Sequence, residues 1–165
     1  MKKEAENINL KVNSVDDFYS GFSDNGTKIV YRKIVDYIND SAKASSTKTP
    51  LNINIKIKDL KSKEEMDECA NTLKFYYKNE IEDKKSEIKT TTSIAFLLLA
   101  VGVCVLLLLE FLIPANWPYF FRTLFEIMAW AFVWETVDLF FFRRTIQKLD
   151  LRKLTRIYNS NINIT

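Results

Sequence analysis

The sequence predicts an α+β membrane protein, with a small cytoplasmic three-stranded sheet and two helices joined to a two-helix transmembrane hairpin. Three observations predict this class. Two long apolar stretches lie in the second half of the chain, and three short stretches alternate apolar with polar residues. The charged residues are also segregated, because 33 of the 45 lie in residues 1–90. Such segregation indicates that one part of the chain lies in water and another in lipid.

The first apolar stretch, TTSIAFLLLAVGVCVLLLLEFLI at residues 91–113, contains one charged residue, Glu110. A helix of this length crosses about 30 Å of hydrocarbon. Pro114 and Pro118 then interrupt helical structure, and Trp117 between them suits the aromatic belt at a membrane surface. We therefore predict a transmembrane helix followed by a short loop.

Residues 120–142 form the second apolar stretch, although four charged side chains lie within it. Beside the first span, its length favours a second crossing over a buried helix of a soluble protein. Basic residues flank the two stretches and are absent from the loop between them, which predicts that both termini are cytoplasmic. The flanking residues are Lys84, Lys85, Lys89, Arg143, Arg144, Lys148, Arg152, Lys153 and Arg156.

Residues 7–13 (NINLKVN), 51–58 (LNINIKIK) and 159–165 (NSNINIT) have the two-residue period of half-buried strands. We expect the first two to pair in parallel through a helix at residues 26–39, with the last strand returning to an edge of the sheet. The predicted domains are therefore a head (1–90), a transmembrane hairpin (91–142, with spans 91–113 and 120–142) and a basic helix with the final strand (143–165).

Ser62, followed three residues later by Glu65, has the spacing of a helix N-terminus. Neither Gly nor Pro lies between Ser62 and Thr90. We therefore expect this helix to continue into the first span, so that movement of the head would reach the membrane.

Composition argues against ordinary catalysis. The chain has no histidine and only three glycines, which excludes histidine-based nucleophile activation and glycine-rich phosphate loops. Cys69 and Cys104 fall in a soluble helix pattern and in an apolar stretch, so we expect both to be reduced packing residues. We predict no enzyme activity, no cofactor and no metal site.

The charged residues of the apolar stretches fall into two groups. Arg122 lies one helical turn before Glu126, and Glu110 could reach the same arginine, so we interpret these three as a structural ion-pair group near the outer surface. Glu135 and Asp138 instead belong to a 4-3-4-3 spacing typical of a packing seam, with Met128 and Ala131. Two interpretations remain open. In the first, Glu135 is protonated or hydrogen-bonded to a neighbouring helix and Asp138 extends toward Arg143 or Arg144. In the second, both acids form rings at the inner mouth of an oligomeric cation pore.

Five basic residues of the head are candidates for binding an anionic ligand, although a solvated surface explains them as well. They share a helix or the polar face of a strand: Lys28, Arg32, Lys33, Lys56 and Lys58.

The element order and the segment FVWETVDLFFFRRTIQKLDLRKL, which contains Trp134, Glu135 and Asp138, resemble a largely uncharacterised family of small bacterial two-span membrane proteins. The layout is also similar to the channel-forming transmembrane effector of the Hailong anti-phage system. That resemblance implies a nucleotide or short DNA ligand made by a partner nucleotidyltransferase.

From these patterns we expect a homo-oligomeric ion channel or pore-type effector of the bacterial inner membrane, gated through its head by that ligand in antiviral defence. The assumed number of copies is four, and membrane lipid is the other expected partner. The alternative is a non-conducting membrane anchor or adaptor that recruits a cytoplasmic protein.

Overall fold

The computed structural model describes residues 6–21, 28–44, 49–111 and 117–165. Its elements are β1 (Glu6–Val12), α1 (Val15–Phe18), α2 (Arg32–Lys43), β2 (Leu51–Ile57), α3 (Lys63–Phe111), α4 (Tyr119–Val137), a π-helix (Asp138–Arg143), α5 (Arg144–Tyr158) and β3 (Asn161–Ile164). The chain divides into two compact units. The sheet unit comprises Met1–Asp83 with Asp150–Thr165, and the helical unit comprises Lys84–Leu149.

The three strands form one parallel sheet in the order β1-β2-β3, where the alternating pattern predicted strands. Their pairing aligns three copies of one motif, because Asn7 faces Asn52, which in turn faces Asn161. The odd-numbered positions of β2 and the even-numbered positions of β1 and β3 therefore share one apolar face. The asparagines share the opposite face, which is polar.

Hydrogen bonds between asparagine side chains connect the strands on the polar face. Asn163 Nδ2 donates to Asn54 Oδ1 at 3.2 Å, and Asn54 Nδ2 donates to Asn9 Oδ1 at 3.0 Å. A parallel bond of 3.1 Å joins Asn52 to Asn7. This ladder links the three strands through side chains of the sheet itself.

The apolar face of the sheet is covered by helices of the same unit. Residues from α2, α3 and α5 complete its core, and the most deeply buried side chains are Phe18, Ile38, Ile53, Ile55, Cys69, Leu73, Tyr77 and Ile157. On α3 the buried positions recur every three or four residues, which is the spacing of a helix face that packs on a sheet.

The start of α3 follows the sequence prediction, whereas the start of α2 does not. Ser62 Oγ accepts from Glu65 N at 3.2 Å, and the Glu65 carboxylate accepts from Lys61 N, so the cap is formed by both partners. The predicted helix at residues 26–39 was wrong at its N-terminus, because α2 begins at Arg32. An antiparallel bridge between Tyr19 and Val30 holds the preceding residues extended.

In the helical unit, α3 and α4 approach closely at Gly102. A Cβ atom added to Gly102 would lie 3.1 Å from the Ala129 carbonyl oxygen and 3.3 Å from Phe132 Cβ. Small residues at such a crossing let two backbones come together. Thr136 Oγ1 donates to Ala95 O at 3.2 Å further along the same contact, which fixes the antiparallel alignment of the two helices.

The predicted fold class was wrong in two respects. The structure is mostly helical, with 72% of the described residues in helices and only a small three-stranded sheet. Within the part of the chain described, one helix alone, α3, is long and apolar enough to cross a membrane. Only 17% of its apolar window is buried, unlike the core helix of a soluble protein.

The predicted two-helix transmembrane hairpin is therefore not supported. The second apolar stretch, residues 120–142, is divided between α4 and the π-helix, and α4 contains Arg122, Glu126 and Glu135. A charged side chain costs about 2.5–3.5 kcal/mol at the centre of a bilayer, so three charges in a 19-residue helix weigh against a crossing. The first predicted span, residues 91–113, lies within α3 up to Phe111, and Pro114 with the other residues of 112–116 lies outside the described part.

Candidate functional site

A cluster of three charged side chains marks the junction of α4 and the π-helix. Arg143 Nε donates to Asp138 Oδ2 at 2.9 Å, and Arg143 Nη2 lies 3.5 Å from Glu135 Oε1. The two acids of the predicted seam thus share one arginine. About half of each acidic side chain is exposed, 48% for Glu135 and 46% for Asp138.

The π-helix explains why this arginine reaches these acids. A π-helix repeats its hydrogen bonds every five residues, so that side chains at i and i+5 lie on one face. Asp138 and Arg143 have this separation and are the first and last residues of the π-helix. In an unbroken α-helix, five residues would place them about 140° apart. Sequence spacing alone therefore missed Arg143 as the neutralising partner of Glu135.

The predicted seam lies on the surface of the helical unit. Met128 is 46% exposed, and Ala131 and Glu135 are also exposed, whereas Asp138 is half-buried. The side of α4 that faces α3 consists instead of Ala129, Phe132, Val133 and Thr136. The seam residues are therefore not among those that face α3, and the two acids of the seam contact Arg143.

The other predicted group lies near the opposite end of α4. Arg122 Nη2 is 3.4 Å from Glu110 Oε2, and Arg122 Nε is 3.5 Å from Glu126 Oε1. One arginine again contacts two acids, here joining the end of α3 to the first turns of α4. The geometry is that of a structural contact between two helices.

The five basic residues predicted to bind an anionic ligand have different surroundings in the sheet unit. Lys28 forms a 2.8 Å ion pair with Glu68, which raises the pKa of the lysine, and Arg32 lies 3.9 Å from Asp36. Lys33 extends over the Tyr31 ring at 5.9 Å. Lys56 and Lys58 are exposed at the end of β2. Two of the five basic residues thus form ion pairs with acidic residues of the same unit.

Lys11 is the basic residue that the sequence analysis missed. It faces Lys56 across β1 and β2, on the polar face and one rung beyond Asn9 and Asn54. Both lysines are exposed, and like charges directly opposite on a sheet repel. Their common position in the two strands was visible in the repeated Asn-(Ile/Leu)-Lys spacing of NINLKVN and NINIKIK.

A cleft of about 720 Å3 lies along the carboxyl end of β1, beside the start of α2. Tyr31 and Tyr37 line it and remain 39% and 48% exposed. Its basic residues, Lys11 and Lys33, are balanced by two acids of α1. The cleft therefore offers aromatic surface and mixed charge, while the strand positions of the adjacent polar face carry lysines and asparagines and no acid.

Arg156, which the sequence analysis counted among the flanking basic residues, is a structural residue of the sheet unit. Its side chain is 10% exposed and its Nε donates to Thr49 O at 2.7 Å. A second contact reaches Ala42 O at 3.4 Å, and an ion pair reaches Glu6 at 3.5 Å. One guanidinium thus joins α5 to the end of α2 and to the start of β1.

The thiol of Cys69 is buried in the core of the sheet unit and interacts with the Tyr19 hydroxyl at 3.3 Å. Burial raises the pKa of Cys69, so the group is a neutral thiol at physiological pH and a poor nucleophile. Cys104 is free and exposed on α3. No group of three or more potential metal ligands occurs within the described ranges.

These features define a class: a small parallel-sheet unit joined to a helical unit with one candidate membrane-spanning helix and paired charges on its surface. Comparisons with protein-family models, curated proteins and solved structures found no match.

Proposed function

We propose that the protein is a self-associating effector of the bacterial cell membrane, in which the apolar part of α3 lies in the bilayer and the sheet unit binds an anionic ligand that controls ion flow. One observation carries this proposal. Glu135, Asp138 and Arg143 are half-exposed, yet they belong to a segment rich in exposed aromatic residues, including Trp134 at 70% and Phe142 at 64%. Charges in such a setting require water or protein beside them.

Self-association would provide both the protein and the water beside these charges. Copies that pack through the Met128–Asp138 side of α4 would cover its apolar residues and bring several charge clusters around one axis. Each cluster has two acids and one arginine, so its net charge favours cations over anions. We take four copies as the working number, and the mass of the detergent-solubilised protein measures it directly.

Lys84, Lys85 and Lys89 precede the apolar part of α3, and by the positive-inside rule these lysines favour a cytoplasmic sheet unit. There the surface formed by Lys11, Lys56 and the asparagine ladder provides ammonium and amide donors for a nucleotide or oligonucleotide. The antiviral setting, and a partner nucleotidyltransferase as the source of the ligand, rest on the resemblance in layout alone.

The conduction test uses purified protein in liposomes loaded with K⁺. The expected result is cation-selective flux that Glu135→Gln combined with Asp138→Asn changes strongly. The matched control is Glu110→Gln combined with Glu126→Gln, which removes two acids from the Arg122 group and is expected to leave selectivity unchanged. Unaltered selectivity in the first variant, with flux intact, would exclude a role of this cluster in conduction.

The ligand test uses a fluorescent ten-nucleotide oligothymidylate. Binding is expected to fall when Lys11→Gln and Lys56→Gln are combined. Lys74→Gln combined with Lys78→Gln removes the same total charge from an exposed side of α3 and is expected to have little effect. Equal losses in the two double variants would show general charge attraction instead of a site.

A second candidate function, a non-conducting membrane anchor, is favoured by one contact. Arg143 pairs with both acids within the same chain, and carboxylates that are already paired with an arginine do not require a water-filled pore. Under this alternative, liposomes containing the protein pass no current, and the full-length protein in nanodiscs still captures a cytoplasmic partner.

A further inference from the structure

An apolar cavity of about 310 Å3 lies in the helical unit, between α3 and the start of the π-helix. Its lining is made by Ala95, Phe96, Leu99, Val137, Phe140 and Phe141, together with Thr136. The Thr136 hydroxyl is directed to the carbonyl oxygens of Ala95 and Phe132, so it offers no polar group to the cavity. The volume is at the lower end of the range of about 300–1,000 Å3 for small-molecule sites.

Arg144 lies against one wall of this cavity. Its guanidinium carbon is 4.6 Å from the centre of the Phe140 ring, one of the cavity walls. The two acids nearby are paired with Arg143 instead. Arg144 forms no ion pair among the described residues, and its Nε atom is buried without a hydrogen-bond partner there.

Gln147 is one helical turn further along α5. Its Nε2 donates to Thr91 Oγ1 at 2.9 Å and to Glu87 Oε1 at 3.1 Å. Its Oε1 is buried and, like Arg144 Nε, lacks a hydrogen-bond partner within the described part of the chain. Two residues three positions apart in α5 thus carry a buried donor and a buried acceptor, and leaving both unsatisfied is costly.

The depth of these groups matches that of a phospholipid. Gln147 contacts Thr91, where the apolar part of α3 begins, whereas the cavity reaches Leu99, about 12 Å further along the helix at 1.5 Å per residue. The basic residues Lys84, Lys89 and Lys148 belong to the same polar end. A lipid headgroup at Arg144 would thus lie at the polar surface of the bilayer, and its acyl chain in the cavity would lie in the hydrocarbon region.

We propose that this site binds one anionic phospholipid whose headgroup carries a hydroxyl group, as phosphatidylglycerol does. A phosphate oxygen accepts from Arg144 Nε, the headgroup hydroxyl donates to Gln147 Oε1, and the first part of an acyl chain fills the cavity. A water molecule would satisfy the two polar atoms but not the apolar walls. The inference rests on the membrane location of α3 in the proposed function, and not on ion conduction.

The test is a titration of delipidated, detergent-solubilised protein with phosphatidylglycerol, followed by native mass spectrometry. One lipid per chain is expected to bind, and Arg144→Gln is expected to weaken binding about tenfold or more, as loss of a charged hydrogen bond does. Leu99→Trp, which fills the cavity, should also weaken it. Arg152→Gln changes an exposed arginine of the same helix and should leave binding within about twofold of wild type.

Three results would overturn the proposal: equal weakening by Arg144→Gln and Arg152→Gln, binding of phosphatidylcholine as tight as that of phosphatidylglycerol, or full competition by glycerol phosphate, which has no tail. If Arg144→Gln does not fold by circular dichroism, Leu99→Trp and the lipid comparison decide the question. A protein that stays in solution without detergent would contradict the membrane location, whereas a negative flux assay alone leaves the lipid result standing.

Discussion

Arg143 donates to Asp138 at 2.9 Å across the whole length of the π-helix, and this contact exists because the helix widens between them. In a regular α-helix the two side chains would diverge. The widening also lets the same arginine reach Glu135, at 3.5 Å. The wider turn of the π-helix thus places a positive charge beside the two acids of the proposed pore surface.

We expect a double-mutant cycle to detect this contact. Arg143→Gln and Asp138→Asn should show a coupling free energy of about 0.5–1 kcal/mol in detergent, the size for a half-exposed ion pair. Thermal unfolding followed by circular dichroism measures it. The control cycle combines Arg144→Gln with Asp138→Asn, since Arg144 lies on Phe140 and should show almost no coupling. Equal coupling in both cycles would contradict the π-helix contact.

The sheet was predictable because its signal is local and repeated. Each strand carries an Asn-Ile-Asn core with a two-residue period, and the pairing of β1, β2 and β3 aligns these cores without offset. The cap at Ser62 was equally local. The start of α2 was not, because the bridge from Tyr19 to Val30 is a tertiary contact that overrides helix propensity.

The candidate site was less predictable for a physical reason. Sequence spacing assumes 3.6 residues per turn, and the π-helix breaks that assumption between Asp138 and Arg143. The second span was predicted from length and neighbouring context, and the three charges of α4 weigh against it. Composition also could not distinguish Arg156, which is buried, from Arg152, which is exposed.

Gly102 is expected to tolerate no larger side chain. Gly102→Val would push Cβ against Ala129 O, already 3.1 Å away, and its methyl groups into Phe132. We expect a loss of about 1–3 kcal/mol in the unfolding free energy of the helical unit, typical of overpacking. Gly21→Val is the matched control, because no atom lies within 4 Å of a Cβ added there. A neutral Gly102→Val would show that the helices separate easily at this crossing.

The sheet unit should lose stability at alkaline pH through its buried tyrosines. Burial raises the pKa of Tyr77, and burial together with Glu80 raises the pKa of Tyr76 to about 12. The folded state therefore holds these protons more tightly than the unfolded chain, whose tyrosines ionise near pH 10. The contribution of these tyrosines to the free energy of unfolding is fully present below about pH 10. It decreases as the pH rises towards the folded-state pKa.

Absorbance at about 295 nm measures tyrosine ionisation, and circular dichroism measures unfolding. Both are recorded between about pH 9 and 12.5, the range in which these tyrosines ionise. Tyr77→Phe should reduce the dependence of stability on pH, although it also removes the hydrogen bond from Tyr77 to Asn39 at 3.2 Å. Tyr37→Phe, at an exposed position, is the control. A pH dependence identical in both variants would exclude Tyr77 as a cause.

Arg156 should be the most sensitive basic residue of the chain. Its guanidinium donates to Thr49 O at 2.7 Å and pairs with Glu6, from a side chain only 10% exposed. Arg156→Met removes these donors, and we expect a loss of about 2–3 kcal/mol in the unfolding free energy of the sheet unit. Arg156→Lys should recover only part of it, because an ammonium group cannot reproduce the forked geometry.

The matched control for Arg156 is Arg152→Met, one helical turn earlier on the same helix and exposed. Its expected effect lies within about 0.5 kcal/mol of wild type, as for most surface substitutions. Chemical denaturation of the full-length protein in detergent measures both variants. Because both remove one positive charge from α5, a difference between them reports the buried contacts with Thr49 and Glu6. Equal destabilisation would mean that net charge, and not this guanidinium, holds α5 to the sheet unit.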